Sequence, residues 1–220
     1  NHDLPKCFYG YCLSDEERKK SASGGLSNSI SKKFINNNGV VFGVVGKWFE
    51  DVHHVKAETQ EELIAICGSK NIQSRVGNSY IQVKKELLSG KQVLFTGTPC
   101  QIAALYSFLG KEYENLFTAD LVCHGVPSQK VLKAYINQIE EKNGKKVVKF
   151  GRDETFQYVP VQYIAWFDDG TYEILMPENS FYRKAFLSNL MQRKSCANCI
   201  FSKLPRVADI TMGDVMFNVD

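Results

Sequence analysis

Apolar positions along this chain fall into short blocks whose spacing switches between helical and extended. Ser14-Asp15-Glu16-Glu17 has the Ser-x-x-Glu form in which hydroxyl and carboxylate cap a helix start reciprocally, so a helix is expected there. Ser21-Ala22-Ser23-Gly24-Gly25 interrupts it. A helix over 26–36 then runs into Asn-rich sequence and Gly39, a C-terminal stop. Residues 40–45 form a continuous β-branched apolar run, which predicts a buried strand, and 53–57 a weaker one. Thr59-Gln60-Glu61-Glu62 repeats the capping pattern and opens a helix that closes before Gly68.

A helix over 79–88 carries its apolar stripe at Ile81, Val83, Leu87 and Leu88. Residues 92–96 predict a buried strand. Thr98-Pro99 reads as a cap with Pro at the first helical position, starting a helix to residue 109. A strand over 116–123 and an amphipathic helix over 127–141 follow. Alternation of strand and helix argues for an α/β layer with a mixed, largely parallel sheet and flanking helices. The last third differs. Strands are expected over 145–150 and 161–167, and Asp168-Asp169-Gly170-Thr171 is a hairpin turn that returns over 171–175. A helix over 180–190, a Cys-Ala-Asn-Cys turn and a strand over 208–212 complete this C-terminal hairpin and helix segment. Lys142-Asn143-Gly144-Lys145 marks a sub-boundary near 142–146. The division expected is 1–90 and 91–220, packed as one compact unit.

Composition narrows the function. The chain has 220 residues, enough for a sizeable core, and a formal net charge of +3 without a long block of like charge. That gives no footing for nucleic acid. No apolar run reaches bilayer length, and the first residues lack a basic region followed by an apolar one, so neither a membrane span nor a signal peptide is expected. A start without Met and an end without a stop pattern suggest a segment of something longer. Seven cysteines, an odd number, in a chain with no export signal point to reduced thiols, a cytoplasmic setting and metal or redox work.

Cys196 and Cys199 are separated by two residues, a spacing that aims two thiolates at one centre. Zinc, iron–sulfur and a redox dithiol all fit that pair alone. Cys100 follows the Thr98-Pro99 cap, where helix N-terminal amides favour a thiolate. Cys123 ends the next strand. In a parallel sheet the C-terminal strand ends line one crevice, so these two could meet. Cys7, Cys12 and Cys67 read as ordinary thiols, Cys67 as a buried residue inside a helix. His53 and His54 are adjacent and read as solvated, and His124 as a satisfied structural histidine. Turns at 21–25, 68–74 and 97–101 offer hydroxyls and amides to a phosphate or flavin, although each alone is as ordinary as any helix start. None has the dinucleotide or Walker fingerprint.

Taken together, these pieces resemble a family. Ser21 to Gly25, Gly68 to Ser74, Gly97 to Gln101, Asp120 to Ser128 (DLVCHGVPS), Cys196 to Cys199 and Asp209 to Asp214 (DITMGD) occur in the order found in the β subunits of coenzyme F420-type (deazaflavin) hydrogenases and dehydrogenases. The resemblance implies a flavoprotein oxidoreductase, with FAD as its flavin and one [4Fe–4S] cluster. It implies Cys100, Cys123, Cys196 and Cys199 as cluster ligands. It assigns to the flavin Ser21, Ser23, Gly24, Gly25, Gly68, Ser69, Lys70, Gln73, Ser74, Thr98, Pro99 and Gln101. Lys70 would neutralise a flavin phosphate or the reduced ring, and Gln73 would bond its polar edge. Electrons would pass between a ferredoxin-type partner, the cluster, the flavin and a small-molecule substrate that the sequence does not name. No general acid or base stands out. The chain departs from its relatives in lacking a ferredoxin-like segment before Asp15, and in Val215-Met216-Phe217 where an aromatic-Trp pair is usual. The alternative from another class is a non-catalytic accessory module stabilised by zinc at Cys196 and Cys199.

Overall fold

The computed structural model describes residues 5–19, 21, 23–47, 50–70, 72–152, 163–176 and 180–214. The first two residues of the strand expected over 161–167 and the Val215-Met216-Phe217 departure lie outside these, as do Ala22 and Asn71 of the ligand-facing turns.

After a short helix α1 (Asp15–Lys19), helix α2 (Leu26–Asn36) leads into strand β1 (Val40–Lys47), which turns back antiparallel into β2 (Glu50–Ala57). Helices α3 (Gln60–Ile66) and α4 (Ser79–Leu88) precede β3 (Val93–Thr96). Then come α5 (Pro99–Leu109), β4 (Leu116–Leu121) and α6 (Gln129–Asn143). A small antiparallel sheet β5 (Val147–Arg152), β6 (Tyr163–Phe167), β7 (Tyr172–Leu175) follows. Last are α7 (Phe181–Leu187), the one-turn α8 (Lys194–Ala197) and β8 (Ile210–Met212).

The main sheet runs β2-β1-β3-β4-β8. Its last four strands are parallel and β2 is an antiparallel edge. This is the mixed, largely parallel α/β architecture that the strand–helix alternation predicts. Residues 1–90 contribute β1 and β2 to it, and residues 91–220 the other three. Period-two alternation splits its core between two faces. Val40, Phe42, Val93 and Phe95 pack under α4 and α5 through Val83, Leu87, Ile102 and Leu105. Val41, Leu94 and Ala119 face the other way, against Leu63 of α3 and Ile30 and Phe34 of α2. A third cluster joins α6, β5, β6 and α7 (Leu132, Ile136, Phe150, Tyr182) to Val52 and Ile72, so the C-terminal part packs against β2 and the 68–74 loop.

Several expected boundaries shift, each for a local reason. The helix expected from Pro127 begins at Gln129, because Pro127 bridges to Gln192. The strand expected to reach Cys123 stops at Leu121, although the Val122 amide still donates to Met212 O (2.8 Å). The helix expected over 180–190 stops at Leu187, with Asn189 in the left-handed region at φ 60°. Conversely, β2 extends back to Glu50. Thr59 and Glu62 form the expected reciprocal cap.

Two readings of single residues need correction. His54 is 5% exposed rather than solvated, because it shares the inward face of β2 with Val52. Cys67 is the half-buried C-terminal cap of α3 rather than an interior helix residue, and its thiol donates to Leu63 O (3.3 Å).

Candidate functional site

The C-terminal ends of β3 and β4 lie side by side, Thr96 opposite Ala119. Beyond β3, Thr98 caps α5, Pro99 is its first residue and Cys100 its second. The Thr98 hydroxyl and amide both donate to Gln101 Oε1 (3.1 Å each), and Thr98 Oγ1 lies 3.2 Å from Cys100 Sγ. Beyond β4, the chain from Cys123 to Ser128 runs antiparallel to residues 191–193. The Ser128 amide donates to Met191 O (2.9 Å), the Arg193 amide to Val126 O (3.1 Å) and the Gln192 side chain to His124 O (2.9 Å). Gly125 permits this approach: its φ is +131° and a Cβ there would sit 2.5 Å from the Gln192 carboxamide. This zipper delivers α8, and with it Cys196 and Cys199, to the Cys123 loop. The Cys199 amide donates to Cys196 O (3.3 Å), closing the turn.

All seven cysteines are free thiols. Burial pushes the Cys123 thiol up; the Gly125 amide opposes this, and Cys100, Cys196 and Cys199 each raise it further. The four therefore share one neighbourhood. Among the described residues, no three of His, Cys, Asp or Glu are drawn tightly enough together to close on a single metal ion.

The DITMGD segment braces this edge from beside it. Asp209 accepts from the amide and hydroxyl of Thr118 (2.8 Å each). Arg206 donates to the fully buried Asp120 (3.3 Å), to Leu121 O and to Thr211.

A second network links two of the glycine-containing turns. His54 Nε2 lies 3.0 Å from Thr96 O, which can only accept, so this nitrogen carries the proton. His54 Nδ1 then accepts from Ser74 Oγ (3.1 Å). The Gln101 carboxamide donates to Ser74 Oγ and Ser74 O (3.1 Å each), and Tyr80 donates to Gln101 O (2.8 Å). Burial, with Cys100 adding, pushes Tyr80 up to about 12. Ser74 and Gln101 are buried and tie the 68–74 loop to the turn bearing Cys100. Sequence reading missed His54, although its signal was present: alternation along β2 puts it on the face of Val52.

The remaining flavin candidates are dispersed. Gln73 lines a cavity of about 440 Å³ together with Ile72, Pro127, Ser128, Gln192 and Arg193, so this loop meets the Cys123 loop there. Lys70 donates to Ile66 O, Cys67 O (2.6 Å) and Gly68 O, closing the C-terminus of α3 beside Gly68 and Ser69. Pro99, the first residue of α5, is buried. Ser21, Ser23, Gly24 and Gly25 do not line that cavity. Gly24 O accepts from the Cys12 amide (2.6 Å), and a Cβ on Gly25 would lie 2.9 Å from Cys12 Cβ, so residues 10–12 pack against this turn. His124 lies on the surface, edge-on to Phe186, with Nε2 3.3 Å from Phe186 O.

A family model described as the C terminus of the beta subunit of coenzyme F420 hydrogenase/dehydrogenase matches residues 90–220, more than half of the chain. Among solved structures, a chain of the F420-reducing [NiFe] hydrogenase complex from Methanosarcina barkeri, studied by xenon derivatization, superimposes with a TM-score of 0.63 at 19% identity. That match covers 93% of this chain and 68% of the other. No curated protein sequence matches. The family match covers both strand ends, the zipper, α8 and the DITMGD brace, and the chain belongs to the coenzyme F420 hydrogenase/dehydrogenase β subunit family.

Proposed function

We propose that this chain is an iron–sulfur flavoprotein subunit, moving electrons between a ferredoxin-type partner, a [4Fe–4S] cluster, FAD and a two-electron substrate. Its family is one of oxidoreductase subunits, and among the described residues no helix is long and apolar enough to cross a membrane. The observation that carries the reading is the Cys123 neighbourhood, where three further thiols arrive from a second strand end and a CxxC turn. Four free thiols suit a soft-metal centre. The relatives' names contain coenzyme F420, which makes a deazaflavin the first substrate to test.

On this reading, residues 91–220 carry the cysteine site and residues 1–90 most of the flavin-side turns. Cys100, Cys123, Cys196 and Cys199 would hold the cluster. Gln73, at the cavity wall, would bond the flavin's polar edge, and the Ser21–Gly25 turn would take a more distant part of the cofactor. Ser74, Gln101 and His54 hold the two loops at a set separation. When bound, a flavin supplies the coupling of two-electron and one-electron transfer.

The test is protein purified without oxygen, with iron, sulfide and flavin quantified on one sample. About four irons and four sulfides with one flavin are expected. One equivalent of zinc without sulfide would establish the accessory-module alternative instead. Cys123→Ser is expected to lose bound iron while Cys67→Ser retains it.

A further inference from the structure

Thr98-Pro99-Cys100-Gln101 packs a hydroxyl, a thiol and a carboxamide into the start of one helix. Thr98 Oγ1 lies 3.1 Å from Gln101 Oε1 and 3.2 Å from Cys100 Sγ, and a hydroxyl has one proton to donate. The orientation of the carboxamide is fixed from its far end. Gln101 is 5% exposed, and its Nε2 donates to Ser74 O, which can only accept, and to Ser74 Oγ (3.1 Å each). Ser74 in turn gives its own proton to His54 Nδ1 (3.1 Å), so its oxygen is left to accept from Gln101. Gln101 Oε1 therefore faces Thr98, and the Thr98 amide also donates to it (3.1 Å). That oxygen keeps one donor whichever way the hydroxyl turns. The first turn of α5 is closed through the backbone as well, with the Gln101 and Ile102 amides donating to Thr98 O (2.9 and 3.1 Å).

The direction of the Thr98–Cys100 contact follows from the state of the sulfur. A free thiol donates its proton to Oγ1 and leaves the hydroxyl proton to Gln101. A metal-bound sulfur has no proton and only accepts, so the hydroxyl turns to it. Among the described residues, Thr98 is the side chain that hydrogen-bonds one of Cys100, Cys123, Cys196 and Cys199. We infer that Thr98 is a positioning residue for the cysteine centre, its hydroxyl donating to Cys100 Sγ and favouring the reduced state. The inference rests on the proposed function and gives Thr98 to the cysteines in place of the flavin. Reduction adds negative charge that spreads onto the ligand sulfurs. A donor at a sulfur stabilises that charge and raises the potential. The hydroxyl only rotates about a single bond, and no covalent bond forms or breaks.

The test compares the wild type with Thr98→Val, which keeps the shape and removes the hydroxyl, and with Thr98→Ser, which restores it. Thr98→Ala serves as a second apolar variant, read in the same way. Each protein is purified without oxygen, and iron, sulfide and flavin are quantified. The potentials of the centre and of the flavin are then measured by mediated titration with dithionite. In Thr98→Val the ratio of reduced to oxidised centre at a fixed potential is expected to fall about tenfold, a lowering of about 59 mV for one electron. Flavin content and flavin potential stay unchanged, and Thr98→Ser keeps the wild-type value. An unchanged centre potential in the apolar variants overturns the inference, as does a Thr98→Ser potential as low as theirs. A shift confined to the flavin also overturns it and returns Thr98 to that cofactor. Loss of iron from both apolar variants overturns it by making the hydroxyl a structural support. A wild type without iron and sulfide refutes the proposed function and this inference with it, a result read from the metal analysis before any variant is compared.

Discussion

Single residues hold the site's geometry through a few directional contacts. His54 is the clearest case. Its imidazole is held neutral by burial, and its pKa lies below the ordinary 6.5. In the unfolded chain it protonates near that value; in the folded chain it resists. Between the two values the unfolded state binds more protons. The stability it contributes is therefore complete above pH 6.5 and is lost as pH falls through the lowered folded value. Urea denaturation at pH 7.5 and pH 5 should show this loss, and His54→Phe, which cannot bond Thr96 or Ser74, should flatten the pH dependence while costing about 1–3 kcal/mol. An unchanged pH dependence in that variant would refute the assignment. Gly125 is the second. Gly125→Ala places a Cβ 2.5 Å from Gln192 at a φ of +131°. It should destabilise by about 1–3 kcal/mol and lower bound iron more than a solvent-exposed Gly144→Ala does. Both residues carried sequence signals of unequal strength. His54 was legible from strand alternation. Gly125 was legible only as a turn residue, because the group it must avoid lies 67 positions away.

Elements come next. Local capping chemistry was readable because it is local: Thr59 and Glu62 satisfy each other within one helical turn. Thr59→Ala should cost about 1 kcal/mol by denaturant titration, with no effect on the cysteine site. Boundaries that depend on distant partners were misplaced, such as Pro127, drawn from a helix into a bridge with Gln192. The short β8 is an element that only its partners sustain. Arg206 secures it by filling the space beside Asp120, a carboxylate with no exposure. Removing that cation leaves a buried carboxylate without its charge partner. Arg206→Ala should cost about 3 kcal/mol, and hydrogen exchange should report it first at the β4–β8 ladder. Unaltered protection there would contradict the bracing role.

At the scale of the whole molecule, the sheet's connectivity decides which chain segments meet. Parallel β3 and β4 bring Cys100 and Cys123 to one edge, and the zipper carries in the CxxC turn from about 70 residues further on. A bound cluster would tie three segments together, so its removal by chelation should lower the midpoint of thermal unfolding and speed amide exchange at 123–128 and 191–199.

By itself, the sequence determined the α/β class, most of the helices and strands, the local caps and the four cysteines worth following, because periodicity, capping and turn chemistry act within a few residues. Only the tertiary structure decided that Gln73 shares a cavity with the Cys123 loop while the Ser21–Gly25 turn does not, and that four thiols from three segments share one neighbourhood. These depend on strand order and on a loop-to-loop zipper. Such contacts arise between residues far apart in the chain, and no local pattern of side chains specifies which of them will touch.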